Sequence, residues 1–259
     1  MKHSFLDQYS DRDSVIHRLD PRSKLLATFA FITAVVLVPS GSWLAYGLYF
    51  AIIAVLIALS RLPVSHFLKR SLVIIPFVLL VAVFVPFFKE GEVAGSYNLW
   101  LWQVSVTHSG LQVLWNIMAK AWLSILSLIL LTSTTSFPNI LKGLERLKMP
   151  EVIVMIMSFM YRYIFLLTDE VMRMKQARDS RNFGGGRWWW QIGTVGSMIG
   201  TLFIRSYERG ERVYASMVAR GFDGHSRTLD QPCFSRQDAL FIAILSITLV
   251  SISLFNLMY

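Results

Sequence analysis

Cysteine is nearly absent from this sequence, and acidic residues are well outnumbered by basic ones. Its 259 residues include 16 Asp and Glu and one cysteine, Cys233. A single cysteine excludes an intrachain disulfide and any thiolate-built metal cluster. Cys233 reads as an idle loop thiol rather than a nucleophile. The carboxylates matter more by position than by number. None falls inside the five long apolar runs assigned below as spans. The chain therefore lacks the intramembrane acids that ion-coupled carriers and proton pumps use. The five histidines, His3, His17, His66, His108 and His225, show no ligand spacing. No catalytic residue, cofactor site or metal site is expected in this chain.

Charge of either sign is scarce. Charged residues make up 16% of the chain, against about 25% in ordinary soluble domains. Hydrophobic residues make up 54%, and the mean hydropathy is +0.52. The segment from Met1 to Lys24 mixes acids with bases and has no apolar centre, so it does not read as a signal peptide. No repeat, low-complexity tract or polar linker divides the chain. The class this implies is an all-α polytopic membrane bundle.

Apolar runs near 17–25 residues are span candidates, because a helix rises 1.5 Å per residue through about 30 Å of hydrocarbon. Five are assigned: Leu25–Val38, Trp43–Leu59, Leu72–Phe88, Leu111–Leu131 and Ala239–Met258. Two further stretches, Val152–Leu167 and Trp188–Ile204, are ambiguous. Basic loops favour the cytoplasm. Lys2, Arg12, Arg18, Arg22 and Lys24 precede the first run, and Arg61, Lys69 and Arg70 lie between the second and third. The turn Pro39–Ser42 has no charge, and the 89–110 loop has one base against Glu90 and Glu92. The N-terminus is thus expected in the cytoplasm. Bases flank both ambiguous stretches, with Arg173, Lys175, Arg178, Arg181 and Arg187 between them. Both are therefore expected to lie along the inner face; the alternative is a hairpin pair of true spans. Every Lys and Arg except Lys89 and Lys120 then faces inward, which accounts for the net charge of +9 without nucleic acid. Lys120, inside the fourth run, reads as a snorkelling or helix-paired lysine, or as a subunit contact.

The expected organisation is four spans over residues 1–135, inner-face coupling helices over 136–238, and a last span over 239–259. In the middle block, Pro138–Leu147 reads as a short amphipathic surface helix with Ile140, Leu141, Leu144 and Leu147 on one face. Asp169–Asn182 and Tyr207–Arg220 read as two charged helices, the second stopped by Gly221 in a left-handed conformation. Each carries Ala-Arg near its C-terminal end, Ala177-Arg178 and Ala219-Arg220. An arginine at a helix end is favoured by the helix dipole, and its planar fork suits carboxylates or carbonyls of a partner. The plainer reading is a cap or a contact with acidic lipid; two copies in one block favour docking. Gly196-x-x-x-Gly200 and Ala215-x-x-x-Ala219 have the spacing of tight helix crossings. Met149, Met155, Met157, Met160, Met172 and Met174 cluster here, as core filler or as an adaptable contact surface. Trp188-Trp189-Trp190 after Gly184-Gly185-Gly186 reads as an interfacial anchor behind a hinge.

These motifs resemble a known family. They are His17-Arg18-Leu19-Asp20-Pro21-Arg22-x-Lys24, Thr134-Thr135-Ser136-Phe137-Pro138, Met160-Tyr161-Arg162-Tyr163, Ala177-Arg178-Asp179, Glu211-Arg212-Val213-Tyr214 and Ala219-Arg220-Gly221-Phe222-Asp223-Gly224. Together they are similar to the T component of energy-coupling factor (ECF) transporters, in particular the cobalt-type CbiQ branch. The resemblance covers nearly the whole chain. It implies a non-catalytic subunit of an ABC importer in the cell (inner) membrane. Its partners would be two cytoplasmic ABC ATPases, which hydrolyse the ATP, and a substrate-binding membrane S component of cobalt type, with membrane lipid around it. It also implies that Arg178 and Arg220, within Ala177-Arg178-Asp179 and Ala219-Arg220-Gly221, enter a groove on each ATPase. The first motif departs from the family form, with Asp179 in place of glycine. The competing class is a membrane-embedded enzyme acting on lipid through Asp169, Glu170, Arg173 and Asp179, which show no repeated acidic spacing for a metal.

Overall fold

The first helix shows how the Leu-Asp-Pro-Arg motif works locally. Asp20 caps it by accepting the Arg22 N–H at 2.9 Å, and Pro21 fills the first helical position, where no N–H is needed. The computed structural model describes residues 14–39, 41–82, 84, 93–99, 102–181, 188–224 and 234–258. Its helices are α1 (Pro21–Leu37), α2 (Trp43–Ser60), α3 (Val64–Ala82), α4 (His108–Thr134), α5 (Phe137–Arg146), α6 (Glu151–Asp179), α7 (Trp188–Ala219) and α8 (Arg236–Met258). Between α3 and α4 the segment expected as a plain loop forms a hairpin of β1 (Val93–Leu99) and β2 (Trp102–Thr107). The strands are antiparallel, pairing Leu99 with Trp102, with an irregularity between Val93 and Gly95. Its alternation is short, and only pairing across the turn makes it strand.

Two compact units divide the described residues: 14–143 with 234–258, and 144–224. The first is a bundle of α1, α2, α3, α4 and α8. Its core joins Phe31 and Val35 of α1 to Tyr49 and Ile53 of α2, Leu126 and Leu130 of α4, and Leu245 and Leu249 of α8. Phe31 meets Tyr49 edge-on at 5.7 Å. Contacts at the helix ends show how the bundle alternates. Lys24, at the start of α1, donates to the carbonyl of Thr134, at the end of α4. The Asp20 N–H donates to Asp238, in the first turn of α8. The chain thus leaves this bundle after α4 and re-enters it at α8 from the same end.

At the opposite end the Lys120 ammonium donates to the carbonyls of Val36 and Val38, at 2.8 and 2.7 Å. These are among the carbonyls that a helix C-terminus leaves unpaired, and a cation there also suits the helix dipole. Lys120 is therefore the helix-paired lysine of the sequence reading. Lys120→Met is expected to cost about 1–3 kcal/mol by stranding those carbonyls. Thermal unfolding in detergent should show a lower midpoint, and an unchanged midpoint would show that water replaces the ammonium at no cost.

The second unit contains α6 and α7, which are longer than the sequence reading allowed. The stretches Val152–Leu167 and Asp169–Asn182, expected as separate helices, merge in one helix of 29 residues that ends at Asp179, with Asn182 outside the described residues; Trp188–Ile204 and Tyr207–Arg220 merge in one of 32 that ends at Ala219. No proline separates either pair, so polarity changes along the helix without breaking it. Among the described residues four helical stretches are long and apolar enough to cross a membrane: α2, Gly110–Thr134, α6 and Arg236–Asn256. This differs from the five expected spans. α1 has 17 residues, α3 carries Lys69 and Arg70, and residues 83 and 85–88 of the expected Leu72–Phe88 span lie outside the described residues. α6, expected along the inner face, qualifies because its polar residues gather toward one end.

Candidate functional site

Both expected docking motifs lie at C-terminal helix ends in the 144–224 unit, and the two ends are built differently. α7 stops in a Schellman motif. Gly221 has φ +80°, its N–H donates to Val218 O at 2.9 Å, and the Phe222 N–H donates to Met217 O at 3.0 Å. A Cβ at residue 221 would be strained by that φ, which explains the glycine. Ala219, Arg220 and Gly221 are all exposed. Among the described residues none pairs with the Arg220 guanidinium.

α6 has no such cap. Ser180 stays right-handed at φ −66° and ψ −19°, and its N–H donates to Gln176 O at 2.9 Å. Asp179, where the family form has glycine, takes the neighbouring arginine. Arg178 Nε and Nη2 donate to Asp179 Oδ1 at 3.0 and 2.8 Å. The aspartate side chain is half exposed, so this pair is worth at most about 1 kcal/mol. It holds the fork in place and is weak enough to exchange.

Glu170 links the two helices. It accepts from Arg173 at 2.6 Å within α6, and from Arg205 of α7. A carboxylate held by two guanidiniums is poorly placed to act as a catalytic base, which counts against the lipid-enzyme reading. Arg178 lies eight residues beyond Glu170, about 12 Å of helix, and Arg220 fifteen residues beyond Arg205, about 22 Å. The unit buries little of itself: α7 has no buried residue and α6 only Val154. Met160, Ile164, Met172, Phe203 and Tyr207 are exposed. This surface is left for lipid or other subunits. Among the described residues Gly196-x-x-x-Gly200 makes no tight crossing, since a Cβ on Gly196 or Gly200 would meet nothing within 4 Å. Trp188, Trp189 and Trp190 are exposed as an interfacial anchor requires. Gly184–Gly186, Cys233, His3 and His225 lie outside the described residues. Among the described residues no group of three or more His, Cys, Asp or Glu could hold a metal ion.

A second cluster, in the bundle, was not foreseen. Asp238 is 2% exposed. Its Oδ1 accepts from the Asp20 N–H at 2.7 Å and the Ser23 hydroxyl at 3.1 Å, and its Oδ2 from the Ser235 N–H at 2.8 Å. Lys24, also buried, donates to the carbonyls of His17 and Thr134, each at 3.1 Å. Beside them α5 crosses the start of α1, where a Cβ on Gly143 would meet Leu25 Cδ1 at 2.8 Å and Pro21 at 3.3 Å. The conspicuous motif Asp20-Pro21-Arg22-x-Lys24 therefore anchors the place where the chain leaves the bundle. A sequence signal for Asp238 existed: Ser235-x-x-Asp238 before an apolar run is a capping-box pattern.

The chain matches the CbiQ family of cobalt transport proteins over residues 12–229. It is 31% identical over 234 residues to the energy-coupling factor transporter transmembrane protein EcfT of Listeria innocua, covering 86% of each chain. It is 29% identical over 264 residues to the EcfT protein of Lactococcus lactis, covering 97% of this chain and 98% of that one. The EcfT protein of Limosilactobacillus fermentum is 30% identical, with 92% of each covered.

Proposed function

The chain belongs to the CbiQ family and is the T component of an energy-coupling factor transporter, and on that premise we propose that it couples two cytoplasmic ABC ATPases to a substrate-binding S component. The observation that carries this is the pair of long, uncovered helices α6 and α7, joined through Glu170 and each ending in an arginine. Arg178 and Arg220, flanked by Ala177 and Asp179 and by Ala219 and Gly221, are the proposed contacts to the two ATPases. ATP hydrolysis belongs to those partners, and this chain transmits their movement without chemistry of its own. Cobalt is proposed as the cargo on the family description. Its selection is assigned to the S component, since the described residues offer no cluster of metal ligands.

The proposed topology places the N-terminus in the cytoplasm. A segment that leaves and re-enters the bundle from one end crosses the membrane an even number of times or not at all. α6 alone cannot then be a span, despite its length. α7 carries Arg205, Glu208, Arg209, Glu211 and Arg212, so zero crossings is the cheaper solution. In a Cys233→Ala background, Ser180→Cys should react with a membrane-impermeant maleimide only from the cytoplasmic side; labelling of intact cells would refute this arrangement. Co-expression with the ATPases and the S component should yield a complex of two ATPases per chain, and a chain that purifies without them would count against the coupling role.

A further inference from the structure

Between α3 and α4 lies an open groove of about 610 Å³ whose two halves differ in chemistry. Ser65, His66, Lys69 and Arg70 line one part, and Val73, Ile74, Leu128 and Ile129 the other, with Thr132 between them. The spacing on α3 produces this. Ser65, Lys69 and Val73 form one i, i+4 row, and His66, Arg70 and Ile74 the next, so two polar turns lead into an apolar one on a single face. The groove sits at the end of the bundle where α4 finishes: His66 Nε2 lies 3.3 Å from the Ser133 hydroxyl, one residue from the Thr134 carbonyl that Lys24 holds. On the proposed topology this is the cytoplasmic face, where the chain's bases collect. Lys69 and Arg70 are exposed, and among the described residues no carboxylate pairs with either.

We infer that this groove is a binding site for one anionic phospholipid of the inner leaflet. Charge decides the occupant. Two adjacent cations without carboxylate partners, with a serine hydroxyl and an imidazole beside them, match a phosphodiester and its acidic headgroup. The apolar walls continue along α3 and α4 away from that charged end and fit acyl chains. A zwitterionic lipid would bring its own cation into the same space. The site is separate from the helix ends assigned to the ATPases. It rests on the proposed topology, with this end of the bundle at the cytoplasmic face, and not on the ATPase contacts, so its failure would leave the coupling role untouched.

The test is native mass spectrometry of the full-length chain, purified in detergent and supplied with phosphatidylglycerol or phosphatidylcholine. Wild type should retain one phosphatidylglycerol and little phosphatidylcholine. Lys69→Gln with Arg70→Gln should lower phosphatidylglycerol retention about 30-fold, from the loss of two headgroup cations. Ile74→Trp, which fills the apolar half and keeps every charge, should lower it as well. Arg173→Gln with Lys175→Gln, which removes two exposed cations elsewhere, should not. All variants should elute with wild type on size exclusion. Equal retention of both lipids, or retention unaffected by both groove variants, would overturn the proposal. So would displacement of the lipid by millimolar inorganic phosphate, which would mark a free-anion site. A Lys69→Gln/Arg70→Gln variant that keeps its lipid but loses a partner subunit would assign the face to protein instead.

Discussion

Arg178→Ala combined with Arg220→Ala is expected to abolish stable association with the ATPases and to stop uptake, while the chain still inserts into the membrane. Truncating one partner of a desolvated charged pair at an interface costs about 2–5 kcal/mol, so even the lower figure is about 30-fold in dissociation constant per contact. The two single variants should differ. Arg220 stands exposed at a rigid glycine-capped end, with none of the described residues pairing with its guanidinium, so its full contact energy is available to a partner. Arg178 must first give up Asp179, at 2.8 Å, which reduces its net contribution by up to about 1 kcal/mol. Arg220→Ala should therefore be the more severe. Lysine should restore part of the loss at either position, because it supplies charge without the planar fork. Gly221→Val adds a separate arm: it keeps Arg220 but strains the φ of +80°, so weakened coupling there would report the direction of the side chain rather than its presence. Co-purification with the ATPases and uptake in cells are the measurements. Normal values for the double alanine variant would reduce both arginines to helix-end or lipid contacts.

Asp238→Ala should be the most destabilising single change in the bundle. It removes the acceptor for two backbone N–H groups, those of Asp20 and Ser235, and for the Ser23 hydroxyl. It also removes a carboxylate close to the buried Lys24. Removing one charge from a buried, compensated arrangement costs about 3–5 kcal/mol, which corresponds to a fall of about 10 °C in melting temperature for a chain of this size. Asp238→Asn should be milder, since one oxygen can still accept from Asp20 and Ser23 while its amide opposes the Ser235 N–H. Thermal unfolding followed by tryptophan fluorescence would check both. A melting temperature within about 2 °C of wild type for Asp238→Ala would show that water satisfies these donors and that the cluster is not an anchor.

Both predictions concern residues that the sequence exposed unequally. Arg178 and Arg220 were legible because repetition and helix-end position are properties of the chain itself, and Gly221 marked its cap by residue type alone. Asp238 was not legible as a partner of Asp20, because the contact spans 218 positions and an acidic residue before an apolar run has many other uses. The 93–107 hairpin was missed for a similar reason: its strands are defined by pairing with each other. The division of α6 and α7 into apolar and charged pieces failed because hydropathy changes along each helix while its backbone continues. Gly196 and Gly200 suggested a tight crossing by spacing, yet spacing says nothing of which surface arrives to use it.

The sequence by itself determined the membrane class, the scarcity of acids in its longest apolar runs and the placing of two arginines near helix ends. Each of these depends on composition, order or local spacing, which neighbouring elements do not alter. Only the tertiary structure decided that α4 ends and α8 begins at the same end of the bundle. On the proposed topology that contact argues against a single crossing by α6, a helix that composition alone would pass as a span. It decided too that Lys120 caps α1, and that Asp20, Ser23 and Asp238 share one buried site. These contacts join residues 82 to 218 positions apart, from Val38 with Lys120 to Asp20 with Asp238. Such pairings arise when helices pack to bury their apolar faces and their remaining polar groups must find partners there.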